Sequence, residues 1–508
     1  MIGAGYVVAS LRRHGFDVVF IDEPCYSFSR GAERTLRRLE QFGPDAVGFT
    51  LATSQYVYFA YEFLRMMKER MPGIPAVAGG LHATLISREV FAAGFDFGVA
   101  ADGEEAAPAL FRNISDPNIS DPAAVDSIPG VSRRNPRGPH SVSDPSYIED
   151  LDSIPFPVNR IFRPPPRGAP MLAITAARGC RRRCRFCAEY YLNRSLRRRS
   201  VENVMEEIRD ALENHGVERI EFLDSSFLES RAYVEELCRE IAALGGGSGF
   251  TWKAMVRADH LDPDILSTMK SCGCTNLYVG MESAGDDTLK KLNKHTTVAD
   301  NEKAVALCRD AGVGLTGYFI TGLPWETRSH YERSRRFHER HSKNLDDYYM
   351  VIIPFPGTDL YAEYHAEYGF TDWWMKTKLC AMAEPGYPLY RWLATRDPVL
   401  ERDFFQYSNE EREMILYFLE ENRKAAGQGM RGPLHRAGWG VLSVLSFIMF
   451  HISPRLEHSL MAPVYHFFHG AAVRRSGLVS ASPPKGAGGS GADDTPRENR
   501  KPGAVHCE

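Results

Sequence analysis

Between residues 171 and 353 the chain repeats one pattern six times: a short apolar run suited to a buried strand, then a longer stretch with helical periodicity. The runs fall at 171–176, 219–223, 250–256, 276–280, 315–320 and 348–353. Intervening stretches such as Val201-Glu-Asn-Val-Met-Glu-Glu-Ile208 and Tyr233-Val-Glu-Glu-Leu-Cys-Arg-Glu-Ile241 space apolar residues three and four apart, which predicts amphipathic helices. Strands that alternate with helices pair in parallel, because only a long crossover returns the chain to the same edge. Six such units predict an open, partial (β/α)6 barrel of the TIM type, with its site at the carboxyl ends of the strands.

Residues 1–125 alternate in the same way and predict a second, Rossmann-like α/β domain. Tyr6-Val-Val-Ala-Ser-Leu-Arg12 reads as a helix and 16–22 as a buried strand. Strands at 46–50, 76–82 and 95–100 follow, with a helix running through Met66 to Arg70. In such sheets ligands sit beyond the carboxyl ends of strands, which points to Thr50, Gly79 and Gly80. Residues 126–168, including Pro164-Pro-Pro-Arg, read as a linker to the barrel at 169–375.

At 508 residues the chain exceeds what one hydrophobic core supports. Its net charge of -4 predicts no general affinity for nucleic acid. Ten cysteines in this length are no disulfide scaffold, and free thiols suit a reducing, cytoplasmic setting. Cys272 and Cys274 read as ordinary buried thiols. Cys180, Cys184 and Cys187 differ, forming C-x3-C-x2-C directly after the first barrel strand. Three thiolates on one short loop can hold a [4Fe–4S] cluster and leave its fourth iron open. The loop has no fourth Cys and no His, which disfavours structural zinc. No other cysteines have suitable spacing, so a single cluster is expected. Nine arginines between Arg178 and Arg199 face one acid, Glu189; they read either as a solvated basic loop or as a site for anionic cofactors.

The cysteine spacing, with Phe186 before the last Cys, resembles the signature of the radical S-adenosylmethionine (SAM) superfamily. Five later segments in order strengthen the resemblance: Glu221-Phe-Leu-Asp-Ser-Ser-Phe227, Trp252-Lys-Ala-Met-Val-Arg257, Tyr278-Val-Gly-Met-Glu-Ser283, Gly317-Tyr-Phe-Ile-Thr-Gly-Leu-Pro-Trp-Glu326 and Pro354-Phe-Pro-Gly-Thr358. It implies that SAM chelates the open iron and is cleaved to a 5′-deoxyadenosyl radical that takes hydrogen from an unactivated carbon. By position, Phe186, Asp224, Ser225, Arg257, Glu282, Ser283, Gly317 and Gly322 are candidates for SAM contacts. Competing readings are a buried Arg257–Glu282 pair, a helix N-cap for Asp224 and Ser225, and turn glycines at 317 and 322. It also implies a flavodoxin- or ferredoxin-type electron donor.

The first 110 residues resemble the cobalamin-binding domain that precedes many such enzymes. The resemblance implies methyl transfer to carbon, with cyclisation, coupling or rearrangement in other relatives. Thr50, Gly79 and Gly80 would then line the cobalamin site. Two departures stand out. The chain opens at the first helix, so it either starts short or lacks the first strand. The Asp-x-His-x-x-Gly motif that supplies a cobalt ligand is absent, and His82 reads as a loop histidine, so cobalamin would have no histidine ligand from this motif.

Residues 376–430 read as a helical cap. Trp373, Trp374, Tyr387, Tyr390 and Trp392 are candidates for either core or pocket. The apolar run in 431–475 is shorter than the ~20 residues a bilayer span needs; with basic flanks it reads as interfacial helices at 437–470 or as a buried part of the cap. Residues 476–508 read as a disordered tail. The leading expectation is a cobalamin-dependent radical SAM methylase of a lipid or natural product, cytoplasmic or peripheral on the inner membrane face. Others are a cyclase or coupling enzyme with a vestigial first domain, and a non-catalytic iron–sulfur carrier or sensor.

Overall fold

All six apolar runs become parallel strands of one sheet in the computed structural model, which describes residues 2–21, 28–115, 122–135, 140–162, 169–193, 195–376 and 404–425. These residues belong to one compact unit spanning Met1–Arg455; the second unit, Leu456–Glu508, lies outside them, as do Tyr387, Tyr390, Trp392 and the apolar run at 437–470.

The first sheet comprises β1 (Val47–Thr50), β2 (Ala76–Gly79), β3 (Phe97–Val99) and β4 (Val131–Arg133), in that order. The first three are parallel and β4 pairs antiparallel with β3. The start of the expected linker thus completes this sheet. The expected strand at 16–22 is different: residues 16–21 form no regular element, with Val19 42% exposed, and join no ladder among the described residues. In a doubly wound sheet of order 2-1-3-4-5 the second strand pairs only with the first. The first described element here is the helix Ile2–Arg13, and no described strand stands beside 16–21.

Next come β5 (Ile161–Phe162), β6 (Met171–Ile174), β7 (Ala177–Arg178) and β8 (Arg197–Arg198). The rest are β9 (Arg219–Phe222), β10 (Thr251–Val256), β11 (Cys274–Glu282), β12 (Gly314–Thr321) and β13 (Asp346–Val351). The barrel sheet has order β13-β12-β11-β10-β9-β6-β5, and β7 pairs only with β8. Strand alternation explains the two-sided walls. On β10, Trp252, Ala254 and Val256 are buried while Thr251, Lys253 and Met255 stay partly open. The buried set joins Val204, Ile208, Leu237 and Ile241 of the helices Val201–His215 and Arg231–Ala243 in one core. Trp252 also donates its indole N–H to the Cys272 carbonyl at 3.0 Å. Cys238, Cys272, Cys274 and Cys308 are all buried free thiols in this layer.

Local signals set the helix ends. Ser200 accepts the Asn203 N–H to open Val201–His215, and Gly216 at φ 62° closes it. Trp373 and Trp374 are core residues, and the helix Asn409–Ala425 covers the outer face of β13, where Phe418 stacks on Tyr349 at 4.2 Å.

Candidate active site

The cysteine loop leaves β6 and is pinched at its base by β7 and β8, which places Arg178 opposite Arg197. Gly179 has φ 95°, and a Cβ there would lie 2.1 Å from the Ser195 carbonyl oxygen, so only glycine fits this crossing. Cys184 is buried and Cys180 and Cys187 partly so. The Cys187 N–H donates to the Cys184 carbonyl at 3.1 Å, and the Arg185 N–H to the Leu292 carbonyl at 3.0 Å. Phe186 packs its ring against the barrel core.

Burial pushes all three thiols up, Cys187 to about 12. Such thiols stay protonated near neutral pH until a strong positive charge, such as ligated iron, holds the thiolate. Among the described residues no three His, Cys, Asp or Glu side chains converge on a single metal ion. The fit to a cluster, whose irons each take one thiolate, therefore rests on donor type, burial and loop continuity. Lys294, Glu282 and Arg257 act electrostatically on Cys184, and Glu229, Glu189 and Arg257 on Cys180. Arg182 Nε, Glu229 Oε1 and His260 Nδ1 are buried beside the loop without hydrogen-bond partners. Buried polar atoms cost free energy unless satisfied, and these suit a polar ligand. The residues present fit a cluster with SAM beside it.

Several candidate residues have different partners from those expected. Arg257 does not pair with Glu282. Its guanidinium takes both Asp259 oxygens, at 2.9 and 3.0 Å, and donates to the Lys294 carbonyl at 3.1 Å. Glu282, at φ 60°, accepts from Lys294 Nζ at 2.7 Å. A nearer opposite charge was available to each. Asp224 caps no helix: its buried carboxylate accepts the Ala176 N–H at 3.0 Å and stays near the strand that feeds the loop. Burial raises its pKa to about 6. Ser225 bonds to Glu189, whose carboxylate also receives Asn193 Nδ2 at 2.9 Å and the Gly179 N–H. Ser283 Oγ accepts the Gly285 N–H at 3.1 Å. Gly317 lies on the helix-facing side, where a Cβ would strike Met281 and Leu345. Gly322, at φ 80°, yields its space and its carbonyl to Tyr407, whose hydroxyl donates to it at 2.5 Å.

In the first domain Thr50, Gly79 and Gly80 do meet at strand carboxyl ends. Gly80 at φ 95° has the Leu51 backbone 3.1 Å from where a Cβ would stand. His82 is not on a loop. It lies in the short helix Leu81–Leu85, fully buried, with Nδ1 2.9 Å from Ser54 Oγ and Nε2 3.2 Å from the Tyr61 hydroxyl. Both nitrogens are engaged, so it is not free to ligate cobalt. Close glycine-bearing strand ends fit a large ligand approaching the backbone.

The carboxyl ends of the two sheets face each other. Leu81–Leu85 packs on the helix Glu189–Leu192, which follows the cysteines. Trp374 donates to Glu89 at 2.9 Å. Asp102, just past β3, accepts from Arg178 at 2.7 Å and also from Arg197, so one carboxylate ties both ends of the cysteine loop. Glu104 takes the other Arg178 nitrogen at 2.6 Å.

Residues 174–338 match the model of the Radical SAM superfamily, and residues 1–111 that of the B12 binding domain. The chain thus carries a radical SAM domain preceded by a B12-binding domain. These two domains imply a [4Fe–4S] cluster with SAM, and cobalamin. It is 28% identical over 398 residues to the anaerobic magnesium-protoporphyrin IX monomethyl ester cyclase of Cereibacter sphaeroides, covering 75% of this chain and 64% of that one. The chain thus spans less than two thirds of that relative. An uncharacterised methyltransferase of Pyrococcus horikoshii is 29% identical over 71% of this chain and 77% of its own. The fold is shared with the radical SAM methyltransferase TsrM of Kitasatospora setae, solved with cobalamin and a [4Fe–4S] cluster, at TM-score 0.58 and 21% identity, covering 72% of this chain and 74% of that one.

Lys294, Glu189 and the Asp102–Arg178–Arg197 group also stand beside the cysteine loop, though the sequence pointed to none of them singly. Lys294 and Glu189 lacked any motif of their own; the excess of arginines around the loop was the available signal for the third.

Proposed function

We propose that this enzyme transfers a methyl group to an unactivated carbon of a lipid or natural product. One observation carries the proposal: the strand ends of the B12-binding domain are held against the cysteine loop by buried ion pairs. When bound, the cofactors supply reductive cleavage of the SAM sulfonium and a methyl donor on cobalt. Arg182, His260 and Glu229, whose buried polar atoms lack partners, would hold the charged amino-acid end of SAM beside Cys180. Glu282 and Lys294, neutralised by each other, keep the neighbourhood of Cys184 balanced. Exposed Arg181 and the exposed side of Arg183 suit an acidic flavodoxin- or ferredoxin-type donor.

Incubation of the reconstituted enzyme with deuteromethyl-SAM, dithionite and fractionated cell extract tests this. The expected outcome is 5′-deoxyadenosine and S-adenosylhomocysteine together with a product bearing the deuteromethyl group. 5′-Deoxyadenosine without S-adenosylhomocysteine would favour ring closure, the second reading, which the cyclase relative supports. No cleavage of SAM would sink both.

No helix among the described residues is long and apolar enough to cross a membrane. Peripheral contact through 437–470 is part of the proposal. Flotation with anionic vesicles, comparing the full chain with one ending at Arg436, tests it, and equal behaviour refutes it.

A further inference from the structure

Three tyrosines on neighbouring barrel strands share one face. The rings of Tyr278 and Tyr318 stack with centroids 6.0 Å apart at 27°, and Tyr318 meets Tyr348 at 6.3 Å and 67°. The opposite faces of these strands carry Leu277, Val279, Phe319 and Tyr349, buried in the helix-covered core. The tyrosines therefore line the inside of the barrel. That interior is open: Tyr348 is 40% exposed, Met350 on the same face 45%, and Leu223 across the barrel 44%. A barrel interior that serves only packing is filled with interlocking branched side chains.

Glu221 of β9 faces the same space. After burial, its charge is the next cause that raises both the Tyr278 and Tyr318 phenols. Lys253 stands beside it in register on β10. Yet neither charged group, and none of the three phenol hydroxyls, makes a hydrogen bond or ion pair with another described residue. The wall also lies near the cysteine loop. Tyr318 is in register with Gly280, two residues and about 7 Å of strand before Glu282, whose charge acts on Cys184.

We infer that this tyrosine wall is the substrate subsite, and that it takes a planar, conjugated ring carrying an N–H or protonated amine at one edge. The ring lies against Tyr318 between the flanking phenols, in the offset or edge-on geometry aromatic groups prefer. Its edge donor reaches the Glu221 carboxylate, and the unpaired phenol hydroxyls take polar substituents. The inference rests on the methylation reading above and narrows its substrate to flat ring systems over saturated lipids.

The test uses anaerobically reconstituted full-length enzyme and three amine probes in equilibrium dialysis: 2-naphthylmethylamine, cyclohexylmethylamine and decylamine. The flat amine is expected to bind roughly tenfold more tightly than the saturated ring, the scale of one good aromatic contact. Tyr318→Leu should erase that ratio. Tyr348→Leu, on the edge strand, should reduce it, and this variant decides the matter if the inner one does not fold. Glu221→Gln should weaken both ring amines alike and leave the ratio unchanged. A ratio that survives both tyrosine substitutions, or decylamine binding best, overturns the inference. Wild-type enzyme that forms 5′-deoxyadenosine yet shows no ring preference refutes the subsite alone. A ring preference in protein that cleaves no SAM refutes the methylation reading and leaves the subsite standing.

Discussion

Replacing Asp102 by Asn should loosen the cysteine loop without unfolding the barrel. The Asp102 side chain is only 8% exposed and its carboxylate serves three donors: Arg178 Nη1 at 2.7 Å, Arg197 Nη1, and the Ile148 N–H at 2.9 Å. An asparagine presents one acceptor oxygen and turns an NH2 toward a guanidinium, donor against donor. Removing one partner of a buried ion pair typically costs about 3–5 kcal/mol. The lower end applies here, because Arg178 keeps Glu104 at 2.6 Å and Arg197 keeps the Ile148 carbonyl at 2.6 Å and Asn193 at 2.7 Å. A loss of about 3 kcal/mol in the free energy of local opening speeds amide exchange on the order of 100-fold. Hydrogen–deuterium exchange across residues 178–198 measures it in the protein without cofactors. The exposed pair Arg133–Asp126, at 2.7 Å, is the control: Asp126→Asn should change local exchange by less than about 1 kcal/mol. Loop exchange within a few-fold of wild type in Asp102→Asn would refute the clamp, as would exchange that rises equally throughout the barrel.

Three further outcomes follow from particular groups. Cys184→Ala should lose the visible absorbance of the reconstituted cluster and form no 5′-deoxyadenosine above background; retained cleavage would remove the loop from the chemistry. Trp252→Ala, which empties a fully buried site and strands the Cys272 carbonyl, should lower urea stability by about 3–5 kcal/mol, whereas a loss below about 1 kcal/mol would contradict that packing. Glu326 is buried and accepts the Gly322 and Leu323 N–H groups at 2.7 and 3.0 Å, with burial raising its pKa to about 7. The native state therefore keeps a proton that the unfolded chain releases near the ordinary Glu value. Its contribution is complete below about pH 4.5 and is lost as pH rises to about 7, some 3 kcal/mol in all. Urea titrations from pH 4.5 to 8 should show that decline, and Glu326→Gln should flatten it.

Strand periodicity and the cysteine spacing were both local, and both were legible. A buried strand declares itself in five or six consecutive residues, and C-x3-C-x2-C needs only one loop. Two mainly parallel α/β sheets, the six parallel strands of the barrel and the cysteines at their carboxyl ends could be read from the chain alone.

The pairing of charges was decided only by the tertiary structure, because it depends on which groups meet across distant turns. Arg257 and Glu282 sit on neighbouring strand ends, yet Asp259 and Lys294 lie closer and take them instead. His82 follows a double glycine as a loop residue would, but a short helix buries it between Ser54, Tyr61 and Trp374. The stretch at 16–21 has the composition of a buried strand, though a strand exists only where a neighbour completes its ladder. Asp102 and the tyrosine wall show the same limit from the other side. Their residues are ordinary in sequence, and they become a clamp and a ring-binding face because folding brings two sheets end to end and three strands side by side.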